Sequence, residues 1–214
     1  GGKEAGSVVR FWSSTNSGLS WDRSGYPDTD GWIDVDGFFS QSTTYLNSRG
    51  TLFHPVRVDR TGPHWKLPDS PDMLAQERGD NGDRMMLWVS TDNGESWRRH
   101  KESGRFGYYG EMYPRFLRLK DGRLLLTFTV RSNSTDGYSL GLRAIISNDD
   151  GETWDFTHDR LVLSSVNHGA SGGGFGNTIQ LKNGTLVSCY SYRDEQGSTN
   201  VEAMRWKLPQ LTEK

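Results

Sequence analysis

The sequence lacks several features that would assign it to a familiar class. Cys189 is its single cysteine, so no disulfide can form within the chain. No apolar run approaches the roughly 18 residues that a membrane-spanning helix needs. Acidic and basic residues are nearly balanced, 27 against 25, and both are spread along the chain. We therefore expect no membrane span and no nucleic-acid partner, because nucleic-acid binding needs a clustered basic face.

The sequence also lacks the spacing that is typical of a metal or cofactor site. Its five histidines, at positions 54, 64, 100, 158 and 168, are too scattered to match the spacing of metal ligands. We therefore expect no metal ion and no cofactor. Long helix-forming runs are missing as well, whereas glycine and aromatic residues are abundant.

What the sequence does contain is a repeated turn. Three segments, residues 14–21, 90–97 and 147–154, fit the pattern Ser-x-Asp/Asn-x-Gly-x-Ser/Thr-Trp. The Asp or Asn can accept hydrogen bonds from backbone N–H groups of its own turn, and the Gly can take a positive φ. The Trp begins the next strand and buries a large ring beside the turn. Any hairpin can contain one Asp-x-Gly, but three copies with matched Ser and Trp predict a repeated structural unit.

The flanks of this turn repeat as well. The turn at residues 120–123 is followed by the apolar run 124–130, and the turn at 182–185 is followed by the apolar run 186–190. Each unit reads as strand, tight turn, strand, loop, strand, repeated turn and strand. Short strands without helical periodicity predict an all-β fold. Four-stranded units in series predict the blades of a β-propeller.

Counting these units assigns the whole chain, residues 1–214, to one partial propeller domain. Residues 7–28 form half a blade, and residues 37–103 and 109–163 form whole blades. Residues 174–209 form a last blade of three strands. The sequence thus predicts about three and a half blades.

The repeated turn resembles the Asp box, or BNR repeat, and the chain resembles part of the sialidase (neuraminidase) superfamily. Members of this superfamily are glycoside hydrolases with a six-bladed propeller. The resemblance implies a C-terminal portion of such a domain, with the missing blades supplied by the rest of the parent chain. The start at Gly1, without an initiator methionine, indicates processing or truncation. The resemblance favours a secreted or periplasmic location.

Blade topology assigns the loops to two sides. The repeated turn and the first turn of each blade, such as Asp121-Gly122, lie on one side. The loop after the second strand and the connection to the next blade lie on the other, which carries the active site in sialidase-like propellers. The candidate loops on that side are 22–37, 98–113 and 160–176 between blades, and 59–83, 131–140 and 192–200 within blades.

The resemblance also implies roles for residues on or beside these loops. Sialidases bind the substrate carboxylate with an arginine cluster, because the guanidinium forms bidentate pairs. They use an Asp as acid/base and a Tyr nucleophile assisted by Glu. In the simpler interpretation the charged residues keep strand ends soluble and the tryptophan packs within its loop. The candidates are Asp136 and Glu111 as catalytic residues, and Arg131, Arg115, Arg193 and Trp65 as substrate-binding residues.

The last blade departs from the family pattern. Alignment on the Asn183-Gly184 turn places Phe175 where the family has its nucleophilic Tyr, and Ser191 where it has the assisting Glu. Four tyrosines near this position would matter only in a different register: Tyr190, Tyr192, Tyr108 and Tyr109. The departure leaves open a divergent glycosidase, a sugar-binding propeller without catalysis, and a family member with relocated catalytic groups.

Taken with the resemblance, the sequence predicts an exo-glycosidase that removes a terminal sialic acid or a related acidic sugar from glycans. The alternative is a carbohydrate-binding or scaffold propeller without catalysis. A glycan or acidic sugar is the expected partner in the first case.

Overall fold

A computed structural model describes residues 14–21, 37–40, 43–60, 84–106, 111–130, 141–158, 160–164, 176–193 and 196–209. The described residues form twelve strands and one 3-10 turn at Ser103–Arg105. The prediction of an all-β fold is therefore confirmed. Within the described part of the chain, no helix has the length and apolar character to cross a membrane. The chain divides into two compact units, Gly1–Glu111 and Met112–Lys214.

The described residues of the first unit form one antiparallel sheet of five strands. Strands β1 (Gly37–Ser40), β3 (Leu52–Arg60), β4 (Arg84–Ser90) and β5 (Arg98–Arg99) follow one another across it, and β2 (Tyr45–Leu46) pairs with β3. Both faces of β4 are covered, because every residue from Met85 to Ser90 is buried. The 3-10 turn packs on this strand, where the Ser103 hydroxyl accepts a hydrogen bond from the Leu87 backbone N–H at 3.0 Å.

The second unit contains a four-stranded sheet and a three-stranded sheet. The first has the order β6 (Glu111–Arg118), β7 (Leu124–Val130), β8 (Gly141–Ser147) and β9 (Arg160–Ser164). The second has the order β10 (Asn177–Gln180), β11 (Leu186–Arg193) and β12 (Thr199–Trp206). Every residue of β7 is buried, as expected for a central strand covered on both faces.

A shared core joins these two sheets face to face. Buried Leu125 and Ala144 of the four-stranded sheet, with Leu119 of its hairpin turn, form a cluster with Leu186 of β11. Trp206 of β12 packs against the same cluster, and its indole N–H donates to the Ser188 hydroxyl at 2.9 Å. Small antiparallel sheets stacked face to face in series are the arrangement of propeller blades.

Candidate functional site

The two ends of the four-stranded sheet differ in what they carry. The hairpin turn at 119–123 joins β6 to β7, and the repeated turn 147–154 follows β8, whose Ser147 pairs with Leu124. Arg118 connects the two turns, because its guanidinium donates to the Gly122 carbonyl at 2.7 Å and to the Asp150 carboxylate. Both turns therefore lie at one end of the sheet. The start of β6, the end of β7 and the start of β8 lie at the other.

The three-stranded sheet has the same polarity. Its hairpin turn, residues 181–185, contacts the 119–123 turn through Lys120: the backbone N–H donates to Gln180 Oε1, and Nζ donates to the Leu181 carbonyl, both at 2.8 Å. The far end of this sheet is the Arg193–Thr199 pair. Since the hairpin turns lie side by side, the far ends of the two sheets also lie on one side of the unit. We call this side the loop side.

Two of the six predicted site residues have a described backbone on the loop side. Glu111 begins β6, and Arg193 ends β11. Their side chains lie outside the described part of the structure, as do Trp65, Arg131 and Asp136 as whole residues. Strand β7 ends at Val130, directly before Arg131 in the sequence. Strand β7 therefore runs toward the loop side and ends there.

Arg115 lies in a different position from these residues. It is half-buried in the middle of β6, where its backbone carbonyl accepts a hydrogen bond from the Thr127 hydroxyl at 3.4 Å. Its Nη1 donates to the neighbouring Pro114 carbonyl at 2.8 Å. The side chain thus makes a hydrogen bond to its own strand, and its residue lies away from the strand end on the loop side.

Tyr113 is a feature of this strand that sequence reasoning missed. Its φ is +55°, in the left-handed region that a residue with a bulky side chain rarely adopts, and its ring is buried. Backbone strain of this kind persists only where the surrounding structure holds it. No local signal predicts it, because a proline favours extended backbone in the residue before it and not a positive φ. The distortion lies between Glu111 and Arg115 and so interrupts the alternation of side chains along β6.

A tyrosine and a glutamate meet in the last sheet. The Tyr190 hydroxyl donates to Glu202 Oε2 at 2.5 Å, and the two residues are partners across β11 and β12. Tyr190 is buried in the body of the sheet, three residues before the Arg193 end. Ser191 is half-buried on β11, and Phe175 lies outside the described residues. The sequence singled out Tyr190 but gave no signal for Glu202, since only the strand register joins them.

The acidic groups of the repeated turns are hydrogen-bonded within the turns themselves. Asp92 Oδ1 accepts the Ser96 backbone N–H at 2.9 Å, and Asp149 Oδ1 accepts that of Thr153 at 2.8 Å, as expected of this turn. The Ser96 and Ser90 hydroxyls lower the pKa of Asp92 to about 2. Burial raises the pKa of Asp149, but hydrogen bonds from Thr153 and Ser147 outweigh it and leave the pKa lowered. These carboxylates are occupied by their own turns and are not free to act as acids.

The described residues contain no cluster of three or more His, Cys, Asp or Glu side chains that could hold a metal ion. The imidazole of His54 is buried. Burial lowers the pKa of His54 to about 4. Its Nδ1 lies 2.9 Å from the Thr44 hydroxyl, within the first unit, so its environment is that of a core residue.

Comparison with known proteins gives no match to a family model and none to a curated protein. Solved structures do match. A protein of unknown function from Dyadobacter fermentans is 20% identical, with a TM-score of 0.61 over 91% of this chain and 44% of that one. A Hadza microbial sialidase is 18% identical, with a TM-score of 0.54 over 90% of this chain and 37% of that one.

A third match is the α-L-arabinanase of Penicillium chrysogenum, complexed with arabinobiose. It is 18% identical, with a TM-score of 0.51 over 84% of this chain and 48% of that one. The chain thus spans less than half the length of each of these structures. At such identities the likeness concerns the fold, which is that of a sialidase-like β-propeller.

Proposed function

We propose that this chain is part of a propeller exo-glycosidase that hydrolyses a terminal sialic acid or a related acidic sugar. The observation that supports it most is the shared polarity of the two sheets in the second unit. Glu111 and Arg193 lie at strand ends on the loop side, and β7 ends there directly before Arg131. The acid, the base and the cationic side chains that bind an anionic sugar would then come from neighbouring strand ends. Binding and catalytic residues are often placed in this way, on loops held by a rigid fold.

Each candidate has a role that fits its chemistry. Arg131 and Arg193 would bind the sugar carboxylate, because a guanidinium pairs with it through two parallel hydrogen bonds. Arg115, whose Nη1 donates to the Pro114 carbonyl, would join them through its other N–H groups. Trp65 would stack on the sugar ring, which offers an apolar face to an aromatic residue.

The catalytic step needs two carboxyl groups if no tyrosine serves as nucleophile. Asp136, as the acid, would donate its proton to the glycosidic oxygen as the bond to the anomeric carbon breaks. Glu111, as the base, would remove a proton from a water molecule whose oxygen forms the new bond on the opposite face. This route inverts the anomeric configuration and consumes one water per bond. It is consistent with Phe175 at the family's tyrosine position and with a buried Tyr190.

The test is turnover of fluorogenic glycosides by the full-length gene product. A sialoside and a glucuronide represent acidic sugars, and an α-L-arabinofuranoside represents neutral ones. We expect turnover of an acidic sugar, its loss in Asp136→Asn, and an inverted first product by proton NMR. A retained product would replace the two-carboxylate route with a nucleophilic one. Turnover of the arabinofuranoside alone would overturn the proposed substrate class.

A binding propeller without catalysis is the second candidate, and the occupation of Tyr190 favours it. The hydroxyl of Tyr190 is held by Glu202 inside the sheet and does not lie on the loop side. Under this alternative, calorimetry would detect binding of the acidic sugar while no glycoside is hydrolysed. Arg131→Lys tests whether sugar binding depends on charge alone, because lysine keeps the positive charge but lacks the planar guanidinium that forms two parallel hydrogen bonds.

A further inference from the structure

The hairpin turn between β10 and β11 carries a threonine that the geometry of the turn does not require. The Leu181 N–H donates to the Thr185 carbonyl at 2.8 Å, and the Gly184 N–H donates to the Leu181 carbonyl at 3.1 Å. The side-chain oxygen of Asn183 accepts the Thr185 N–H at 3.1 Å, and Gly184 has a φ of +83°. Asparagine and glycine suit these two positions, because asparagine bonds to its own backbone and glycine takes a positive φ without strain. Thr185 contributes only backbone groups to these bonds.

A second turn of the same geometry, residues 119–123, shows that the threonine is dispensable. The two matching backbone bonds are 2.8 and 3.0 Å long. Asp121 takes the place of Asn183, and its Oδ1 accepts the Arg123 N–H at 3.1 Å. Arg123 takes the place of Thr185, so the turn forms without a hydroxyl there. Turn geometry therefore explains the asparagine and the glycine of the first turn and leaves its threonine unexplained.

The three residues together form an acceptor sequence for an N-linked glycan. Residues 183–185 read Asn-Gly-Thr, and such an acceptor is Asn-x-Ser/Thr with any residue but proline in the middle. The hydroxyl of Thr185 is the element that this pattern needs and the turn does not. The same pattern occurs once more, at residues 133–135, outside the described part of the structure.

The fold leaves the acceptor atom of Asn183 accessible. The residue is exposed, and its hydrogen bond to Thr185 uses Oδ1. Its Nδ2, the atom to which a glycan is attached, has no hydrogen-bond partner among the described residues. A glycan replaces one hydrogen of Nδ2 and leaves Oδ1 in place, so the turn would keep all of its bonds.

The position of the turn also tolerates a bulky group. It lies at the end of the sheet opposite the loop side, so a glycan there would leave the loop side open. Lys120 of the neighbouring turn contacts Gln180 and the Leu181 carbonyl, both at 2.8 Å, and not Asn183. Attachment at Asn183 would therefore not disturb the contact between the two turns.

We propose that Asn183 carries an N-linked glycan in the native gene product. The donor is an oligosaccharide joined to a lipid through pyrophosphate. The bond between its anomeric carbon and the phosphate breaks, a new bond joins that carbon to Nδ2, and Nδ2 releases one proton as the lipid pyrophosphate leaves. The glycan is bulky and hydrophilic and would cover this end of the sheet. The inference holds whether or not the propeller hydrolyses sugars, and it implies that the gene product is secreted.

The test uses the gene product purified from its source organism. Peptide N-glycosidase in heavy-oxygen water releases an N-linked glycan and converts its asparagine into labelled aspartate. Trypsin then cuts after Lys182 and after Arg193, and mass spectrometry reads the peptide 183–193. We expect the intact protein to lose the mass of one glycan or more and this peptide to carry the label at position 183. A sample without the enzyme is the control, because asparagine before glycine also loses its amide slowly by itself.

Two results of this measurement would overturn the proposal. One is an unmodified peptide 183–193 recovered from the native protein before enzyme treatment. The other is a loss of mass from the intact protein without label at position 183, which would place the glycan elsewhere.

A matched pair of variants at Thr185 tests the role of the hydroxyl. Thr185→Val keeps the shape of this half-buried side chain and removes the hydroxyl, whereas Thr185→Ser keeps the hydroxyl. Expressed in the source organism, Thr185→Val should lose the glycan at position 183 and Thr185→Ser should retain it. Circular dichroism checks that both variants fold. A glycan that persists on the peptide 183–193 of Thr185→Val would overturn the assignment.

Discussion

The repeated turns at 14–21 and 90–97 share one sequence motif but have different surroundings. In both, a serine hydroxyl accepts the N–H of the turn's glycine, at 2.8 Å from Gly18 in one and 2.9 Å from Gly94 in the other. Trp97 is nevertheless only 5% exposed, whereas Trp21 is 56% exposed. The hydrogen-bonded frame of the turn is thus encoded locally. The burial of its tryptophan depends on what the rest of the fold brings to it.

The neighbours of each tryptophan explain the difference. The ring of Trp97 meets the edge of His54 on β3, at a centroid distance of 5.7 Å, and its indole N–H donates to the Gly94 carbonyl at 3.0 Å. In the third copy, Trp154 packs against Phe116 of β6 at 5.9 Å. For Trp21, a Cβ added at Gly18 of its own turn would lie 3.8 Å from the ring. The expectation that each tryptophan of this motif is buried is confirmed for two copies and wrong for the first.

The largest loss of stability should come from replacing a buried tryptophan of these turns with alanine. Trp97→Ala removes a buried aromatic side chain and leaves a cavity, and we expect a loss of about 3–5 kcal/mol in the free energy of unfolding. Trp21→Ala, the matched control, should cost less than about 1 kcal/mol, because most of the ring is already in water. Urea unfolding followed by circular dichroism measures both. Similar losses in the two variants would show that Trp21 is buried in solution.

The second prediction concerns the histidine that covers Trp97. Because the folded pKa of His54 is lowered from 6.5 to about 4, the unfolded chain takes up a proton before the folded chain does. The contribution of neutral His54 to the free energy of unfolding is therefore fully present above pH 6.5. It falls as the pH drops toward 4, by about 3 kcal/mol at most. His54→Gln keeps a polar partner for Thr44 and should remove this part of the pH dependence. The measurement is the free energy of unfolding between pH 7 and pH 4. An unchanged slope in His54→Gln would assign the effect to other groups.

The turns and strands could be predicted from the sequence because they depend on residues close together in the chain. The Asp92 and Asp149 hydrogen bonds, and the hairpins at 119–123 and 181–185, are of this kind. The placement of Glu111 and Arg193 at strand ends follows from the same strand order.

The rest depends on contacts between distant residues, which no local pattern encodes. Tyr190 meets Glu202 through the β11–β12 register, and Lys120 meets Gln180 across two sheets. The left-handed backbone of Tyr113 is held by surrounding packing rather than by its own preference. The roles of the six candidate site residues remain predictions.

A smaller effect should come from the serine that opens each turn. The Ser147 hydroxyl is buried and accepts the Gly151 N–H at 2.7 Å, and Ser147→Ala would leave that N–H without its acceptor. We expect a loss of about 1–3 kcal/mol, since an unsatisfied buried donor carries its full desolvation cost. Ser14→Ala removes the same bond in a turn open to water, and the loss there should stay below about 1 kcal/mol. Thermal melting of the two variants compares them, and equal losses would mean that the hydrogen bond alone, not its burial, sets the cost.

The smallest loss of stability should come from giving the 90–97 turn the asparagine that the 14–21 turn has at the matching position. Asp92 accepts the Ser96 hydroxyl, whereas the amide of Asn16 donates to the Ser20 hydroxyl at 2.7 Å, so Asp92→Asn reverses one hydrogen bond and keeps the turn. The backbone bond to the side-chain oxygen, 2.9 Å in both turns, is retained. At pH 7 we therefore expect only a slight loss of stability.

The pH dependence of Asp92→Asn is the sharper readout. Hydrogen bonds from Ser96 and Ser90 hold the pKa of Asp92 at about 2, below its ordinary 3.8. The stability that the carboxylate contributes is present above pH 3.8 and is lost as the pH falls through about 2. The difference in the free energy of unfolding between wild type and Asp92→Asn, measured with urea, should thus become smaller as the pH falls from 3.8 to about 2. Asn16→Asp should produce a similar pH-dependent difference in stability from wild type through the 14–21 turn. A gap that does not change with pH would mean that the carboxylate and the amide serve the turn equally well.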